Sequence, residues 1–190
     1  FIEKPYSGER KKQIVSVGRL SEQKNQKMLI EAFCQLPKKY NDYKLVIYGE
    51  GDLRKELEEQ VKKCEMENRI FLPGVVENVK EKIYDSSLFV MTSDYEGMPN
   101  ALMEAMALGL PVISTDCPCG GPKFLIDNNI NGILVEPNDI DELKNAIIKV
   151  LSDEDYSKMI AQNASEIAEK LNPAKINDRW KTFIESILSK

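Results

Sequence analysis

The feature that most constrains the fold is a repeated alternation of short apolar runs with helical patterns. Runs rich in valine, isoleucine and leucine lie at 13–17, 44–48, 69–72, 88–91, 110–114 and 132–135. Between most of them, apolar residues recur at the spacing of one helix face. Strands that alternate with helices in this way are typical of a parallel sheet covered on both faces. We therefore predict an α/β fold, a doubly wound parallel sheet of about six strands followed by C-terminal helices.

The chain divides into three parts of unequal size. The 190 residues suffice for one domain that buries about 70% of its unfolded surface. Residues 1–12 are polar and open with Phe1 rather than Met, so we interpret them as the remnant of a linker in a longer protein. Residues 13–171 form the predicted Rossmann-like domain. Asn172-Pro173 separates a last helix, 172–190, which has a broad apolar stripe.

Charge and cysteine content exclude several classes of protein. The formal net charge of −5 argues against a nucleic-acid partner, which normally requires a basic face. No apolar run has the length of a membrane span, and we expect no signal peptide. Histidine is absent, so a structural role is favoured over a metal site for Cys117-Pro118-Cys119. Four cysteines without a disulfide pattern fit a reducing cytoplasm.

The segment 93–106 carries the strongest functional signal. It follows the apolar run 88–91, and its proline predicts a helix from about Pro99 to residue 108, with Gly109 as the stop. The amides of Asn100, Ala101 and Leu102 would then point out of a helix N-terminus. Such an end is suited to binding a phosphate oxygen.

Two carboxylates flank this predicted helix end. Glu96 precedes it, and Glu104 lies about one turn inside. Either acid alone is better explained as a complement to the helix dipole, but the pair suggests a ligand with hydroxyls as well as phosphates. Acid–base hydrolysis of a glycosidic bond is a weaker alternative, because the phosphate-binding features have no role in it.

Two cations follow the first strand, in the loop that binds phosphate in many doubly wound folds. Arg19 and Lys24 could together neutralise a diphosphate and stabilise it as a leaving group. Taken alone, each is more often a solvated surface cation. The strand ends at Gly18, Gly49, Gly74 and Glu96 would meet in one crevice at the carboxyl edge of the sheet.

The glycine-rich loops argue against two cofactor classes. Residues 49–51 and 119–122 form no dinucleotide fingerprint, and neither is followed by a Walker-type lysine. Redox cofactors and ATP hydrolysis are therefore disfavoured.

Taken together, the motifs resemble those of the glycosyltransferase group 1 family, the fourth family of retaining glycosyltransferases. The resemblance runs from about residue 13 to the end and covers the C-terminal, donor-binding half of the two-domain GT-B architecture. The segments that carry it are Val15-Ser16-Val17-Gly18-Arg19-Leu20 with Lys24, Phe71-Leu72-Pro73-Gly74, Glu96-Gly97 through Glu104-Ala105, Gly109-Leu110-Pro111-Val112-Ile113 and Asn131-Gly132-Ile133-Leu134-Val135.

This resemblance implies a nucleotide diphosphate sugar, a UDP-sugar or a GDP-sugar, as donor, with no metal or other cofactor. Catalytic roles fall to Arg19 and Lys24, which would hold the diphosphate, and to Glu96, which would orient the sugar. Glu104 would accept hydrogen bonds from the ribose. The residues implied in nucleotide-sugar binding are Gly18, Gly74, Val75, Gly97, Met98, Asn100, Ala101, Leu102 and Glu104, with the backbone around Gly74 and Val75 at the base.

The resemblance also implies what lies outside this chain. An N-terminal domain would bind the acceptor, a saccharide or a lipid, and could bring the protein to the membrane surface from the cytoplasm. The family's last helix crosses back to that domain, so Trp180 and its neighbours are expected to be partly exposed here. We expect this half alone not to transfer sugar. One departure is Phe124, where the family often has a glutamate after a basic residue, here Lys123.

Two alternatives remain open at this stage. A sugar-nucleotide epimerase shares the architecture but needs acid–base groups against the sugar, and the chain lacks histidine. A non-catalytic nucleotide-binding module would bind nucleotide even without Glu96.

Overall fold

A six-stranded parallel sheet forms the centre of the molecule, as predicted. The computed structural model describes residues 5–188. The strands are β1 (Lys11–Val17), β2 (Lys44–Tyr48), β3 (Ile70–Gly74), β4 (Ser86–Met91), β5 (Val112–Thr115) and β6 (Ile133–Val135). They pair in the order β3-β2-β1-β4-β5-β6, and every pair is parallel. The direction of winding therefore reverses between β1 and β4, where such sheets bind ligands.

Helices cover both faces of this sheet. They are α1 (Gln26–Cys34), α2 (Arg54–Lys63), α3 (Val79–Ile83), α4 (Asn100–Ala107), α5 (Gly121–Leu125), α6 (Ile140–Ser152), α7 (Glu154–Ser165), α8 (Ile167–Lys170) and α9 (Pro173–Leu188). Two single 3-10 turns occupy Glu22–Lys24 and Lys38–Tyr40. The sequence did not predict α5, because Gly120, Gly121 and Pro122 are typical of a turn; Gly120 is left-handed with φ 73°, and α5 starts directly after it.

Side chains alternate between two apolar cores, one on each face of the sheet. Ile14 and Leu88 belong to the core beneath α1, α2 and α6, whereas Val15 and Phe89 belong to the core beneath α3 and α4. All four are fully buried. Strands buried on both faces explain why the sequence shows continuous apolar runs rather than alternation.

Local sequence determines most of the element ends. Gly109 ends α4 in the left-handed region with φ 72°, as predicted, and Asp139 caps α6 by accepting a bond of 2.8 Å from the amide of Glu142. Helix α4 begins at Asn100, one residue later than predicted, because Pro99 is extended and serves as the cap. Strand β1 begins at Lys11, two residues before the predicted start.

The last helix, α9, presents an apolar face to solvent. Trp180, Phe183, Ile184 and Ile187 are each at least half exposed, and Leu188 is 80% exposed. The expectation of partial exposure is confirmed. An apolar surface of this kind favours association.

We expect this face to make the chain self-associate. The sedimentation coefficient should rise with concentration, and Trp180→Glu should reduce the rise because it places a charge at the centre of the face. Lys181→Glu, a charge change at a neighbouring exposed position, is the control. A strict monomer at high concentration would contradict the expectation.

Candidate functional site

Two loops meet at the point where the sheet reverses its winding. One loop follows β1 and the other follows β4. Hydrogen bonds join residues 23–25 of the first loop to residues 94–95 of the second. The side chain of Gln23 donates to the carbonyl of Tyr95 at 3.0 Å, and the amide of Asp94 donates to the carbonyl of Gln23 at 2.8 Å. The Asn25 side chain donates to a carboxylate oxygen of Asp94 at 2.9 Å. The predicted convergence of these strand ends is therefore present in the structure.

An ion pair lies at the centre of this junction. Lys24 Nζ contacts Glu96 Oε1, although the two residues are far apart in the chain. The Glu96 side chain is 9% exposed and that of Lys24 is 23% exposed. The lysine side chain passes over Gly18, where an added Cβ would lie 3.5 Å from Lys24 Cε. Lys24 is thus a half-buried, paired group and not the solvated surface cation of the simplest interpretation.

Arg19 lies at the rim of the site. Its side chain is 71% exposed and lies 3.8 Å from a carboxylate oxygen of the similarly exposed Asp52, a distance typical of a weak surface pair. Its backbone is better fixed than its side chain. The carbonyl of Arg19 accepts a bond of 2.8 Å from Gln26, whose side chain is buried. The backbone of Arg19 is therefore held in place, while its guanidinium faces solvent.

The N-terminus of α4 directly follows the loop that leaves β4. The amide of Met103 makes the first bond of the helix, 3.1 Å to the carbonyl of Pro99. By helix geometry the amides of Asn100, Ala101 and Leu102 have no acceptor within the helix. Three outward N–H groups at the positive end of a helix can bind an anion.

The loop between Glu96 and α4 is supported from the β5 side. The amide of Glu96 donates to the carbonyl of Pro118 at 3.4 Å, and the amide of Gly121 donates to the carbonyl of Glu96 at 3.3 Å. An added Cβ on Gly121 would lie 2.0 Å from the carbonyl oxygen of Gly97, so no larger residue fits there. Gly97 itself is open, since a Cβ on it would meet nothing within 4 Å.

The second glutamate of the motif also has a basic partner. Glu104 lies inside α4 with its carboxylate 3.2 Å from Lys80 Nζ on α3. Both side chains are about 40% exposed, so the pair is accessible to a ligand. The sequence reasoning did not identify Lys80, because nothing local links α3 to α4.

The ends of β2 and β3 lie at the same edge of the sheet as the junction. Gly74 is left-handed with φ 85°, and its carbonyl accepts a bond of 2.9 Å from the amide of Gly49. That carbonyl is therefore occupied, whereas Val75 is 77% exposed. Met98, on the opposite loop, is 51% exposed.

The structure brings Lys24 and Glu96 into direct contact and places the other predicted residues along the same edge of the sheet. Arg19 and Glu104 instead pair with Asp52 and Lys80. The sequence reasoning missed Asn25 and Gln26, although an asparagine directly before a helical pattern is a recognisable cap signal.

Two features outside this junction bear on the choice of site. A crevice of about 620 Å³ opens at the opposite edge of the sheet, but its lining includes none of the predicted residues. Within residues 5–188, no three His, Cys, Asp or Glu side chains are grouped so as to hold a metal ion.

Burial raises the pKa of the Cys117 thiol, and the charge of nearby Glu96 adds to the effect.

Fold and site together define a class of protein. A doubly wound sheet with two basic side chains and a helix N-terminus at its switch point has the features of domains that bind phosphate-containing ligands. Sequence comparison then identifies the family: a profile of the glycosyl transferases group 1 matches residues 1–167, and this chain belongs to that family.

Two relatives show how much of such a protein the chain represents. It is 35% identical over 92% of its length to an uncharacterized glycosyltransferase of Methanocaldococcus jannaschii and spans 50% of that protein. It is 32% identical over 95% of its length to a Campylobacter jejuni protein named GalNAc-alpha-(1->4)-GalNAc-alpha-(1->3)-diNAcBac-PP-undecaprenol alpha-1,4-N-acetyl-D-galactosaminyltransferase, again spanning 50%. The chain thus has about half the length of these curated relatives. Their names favour transfer over the epimerase alternative.

Solved structures share the fold. A mutant of S. aureus TarM, crystallised with Fondaparinux, alpha-GlcNAc-glycerol and UDP, matches with a TM-score of 0.88 and 27% identity, over 96% of this chain and 37% of that one. The C-terminal domain of a glycosyl transferase group 1 protein, LpcC of Francisella tularensis, matches with a TM-score of 0.75 and 28% identity, over 86% of this chain and 87% of that one. Helices long and apolar enough to cross a membrane do not occur in the part of the chain that the structure describes.

Proposed function

We propose that this chain is the donor-binding domain of a retaining glycosyltransferase and that it binds a nucleotide diphosphate sugar at the junction of the two loops. The observation that carries the proposal is the Lys24–Glu96 ion pair at the switch point. It holds a cation for phosphate and an acid for hydroxyls in one place. The UDP in the related TarM crystal supports a UDP-sugar as donor, and a GDP-sugar is the other choice.

The proposed ligand spans the crevice from β3 to β4. Lys24 and the amides of residues 100–102 hold the diphosphate, and Arg19 reaches it from the rim. Glu96 accepts hydrogen bonds from the donor sugar, whose approach the open Gly97 permits. Glu104 accepts from the ribose hydroxyls. The rest of the proposed binding surface is formed by Gly18, Gly74, Val75 and Met98. Backbone groups near Val75 contact the nucleotide base.

The proposed reaction transfers the sugar with retention of anomeric configuration to a saccharide or lipid acceptor. Positive charge develops at the sugar while negative charge develops on the departing diphosphate. Lys24, Arg19 and the helix amides stabilise the latter, which is the electrostatic contribution expected of this half. Because these groups already supply positive charge, we propose a site without a resident metal ion.

The acceptor site belongs to the part of the protein outside this chain. We propose an N-terminal domain that binds the acceptor and works at the cytoplasmic face of a membrane. The name of the C. jejuni relative, which specifies an undecaprenol-linked saccharide, supports such an acceptor. With one wall of the site missing, most of the rate gained from proximity is lost, so this half alone should not transfer sugar.

The direct test is a calorimetric titration of this chain with UDP, GDP and ADP. One nucleotide should bind, and Glu104→Ala should weaken it by about 1–3 kcal/mol, the value of a hydrogen bond to a charged group. Glu154→Ala is the matched control, because it removes an ion-paired glutamate at the opposite edge of the molecule.

Three results are informative here. Weaker binding in Glu104→Ala alone supports the ribose assignment. An unchanged affinity in that variant contradicts it. Failure of all three nucleotides, repeated with the full-length enzyme, contradicts the donor site itself.

A further inference from the structure

Asn25 connects three strand ends at the candidate site. Its side-chain nitrogen donates to Asp94 Oδ1 at 2.9 Å and to Asn138 Oδ1 at 2.8 Å. Asp94 follows β4, and Asn138 follows β6. The backbone carbonyl of Asn25 accepts a bond of 2.9 Å from the Thr92 hydroxyl. One residue thus ties the loop after β1 to two others.

The conformation of Asn25 suits this role. Its backbone is left-handed, with φ 44° and ψ 45°, a region in which asparagine is tolerated better than most residues. A carboxamide is also the smallest side chain that carries two N–H donors and an acceptor at one end. Aspartate would lose both donors and place a negative charge beside Asp94.

A simpler interpretation makes Asn25 only the cap of α1. Its side-chain oxygen does accept a bond from the amide of Met28, but at 3.4 Å this is the longest of its side-chain bonds. A cap requires only that oxygen. The nitrogen, which a cap does not use, makes both shorter bonds, and each crosses to another loop.

The neighbouring residue is Lys24, and one hydroxyl group bonds to the backbone of both residues. The carbonyl of Lys24 accepts from the Thr92 hydroxyl at 3.1 Å, which also bonds to Asn25. A lysine side chain has large rotamer freedom, and ordering it on binding costs conformational entropy. A backbone that is already fixed lowers the entropy cost of binding an anion through the ammonium group.

We propose that Asn25 is a positioning residue that aims Lys24 at the donor diphosphate. It touches no substrate itself and acts through the backbone it shares with Lys24. The inference rests on the proposed function, since it assumes that Lys24 contacts the diphosphate. It assigns to Asn25 an effect on diphosphate binding and none on the binding of the nucleoside part.

The test compares a nucleoside diphosphate with its monophosphate. UDP and UMP, and GDP and GMP, are titrated into the wild-type chain and into Asn25→Gly, which keeps the left-handed backbone and removes the side chain. We expect the diphosphate affinity to fall about tenfold, a typical coupling between contacting groups. The monophosphate affinity should change less than about twofold. Asp153→Gly, which removes the cap of the remote α7, controls for lost helix stability.

A second variant protects the test against misfolding. Asn25→Asp keeps the cap oxygen and removes the two donors, so it should show the same selective loss. In a Lys24→Met background, Asn25→Gly should have no further effect on diphosphate affinity. Equal losses for diphosphate and monophosphate, or no loss, would overturn the role of Asn25. If the wild-type chain binds none of the four nucleotides, the titrations are repeated with the full-length enzyme. Failure there overturns the proposed function, and that outcome is distinct from a selective or equal loss in the Asn25 variants.

Discussion

Gly49→Ala should destabilise the chain by about 3 kcal/mol or more, because it combines a backbone clash with a disfavoured conformation. A Cβ on Gly49 would lie 1.9 Å from the carbonyl oxygen of Gly18, and the residue has φ 143°. Neither side can move away easily. The amide of Gly18 is bonded to the carbonyl of Tyr48 at 3.0 Å, and that of Gly49 to the carbonyl of Gly74 at 2.9 Å.

Two other glycines separate the causes of this loss. Gly120→Ala tests the conformation alone, since Gly120 has φ 73° but a Cβ there would meet nothing within 4 Å, and we expect a loss of about 1 kcal/mol. Gly97→Ala, with open space and no left-handed φ, should be nearly neutral. Urea denaturation of the three variants gives the comparison. Equal stability of Gly49→Ala and Gly120→Ala would show that the clash is relieved.

This close packing also fixes the shape of the candidate site. Gly49 and Gly18 lie at the ends of adjacent strands, and Gly18 is the residue over which the Lys24 side chain passes. A shift of the Gly18 backbone would therefore displace the surface against which the Lys24 side chain lies. If Gly49→Ala still folds, its nucleotide affinity should be reduced as well.

The sequence predicts the architecture well because the governing signals are local. Apolar runs such as 88–91 are buried on both faces, and Gly109 ends a helix through its own backbone conformation. The general position of the site follows from the same pattern. In a doubly wound sheet, loops after the strands converge whatever their residues, and the loops after β1 and β4 do.

The pairing of side chains could not be predicted in the same way. Lys24 and Glu96 are 72 residues apart, so their contact depends on how two loops cross. As an isolated lysine, Lys24 would be assigned to solvent. Lys80 and Glu104 pose the same problem. Helix α5 was missed because Gly120, Gly121 and Pro122, at and before its start, favour a turn locally.

Lys24→Met should have the largest effect on the full-length enzyme, a loss of about 10²- to 10³-fold in transfer, typical of removing one group that stabilises developing charge. The same change should lower stability. Glu96 is 9% exposed on its side chain, and without Lys24 its carboxylate stays buried and unpaired. Breaking a fully buried ion pair typically costs about 3–5 kcal/mol of stability. Because the lysine is partly exposed, we expect a smaller loss of stability here, about 2 kcal/mol.

Glu96→Gln should change stability little but should still reduce sugar transfer. The amide keeps the shape and removes the charge, and the remaining ammonium can turn toward water, since Lys24 is the more exposed partner. Stability should therefore change by less than about 1 kcal/mol. Diphosphate affinity should be kept or improved, because the ammonium no longer has a competing carboxylate, while sugar transfer should fall.

The double variant, Lys24→Met with Glu96→Gln, distinguishes a catalytic pair from a structural one. Removing both charges leaves no unpaired buried ion, so stability should return to within about 1 kcal/mol of the wild type. Transfer should remain as low as in Lys24→Met, because the cation that we propose stabilises the diphosphate is still missing. Recovery of transfer together with stability would mean that the pair serves the fold alone. Because stability and transfer are measured separately, one four-member cycle decides which role the pair has.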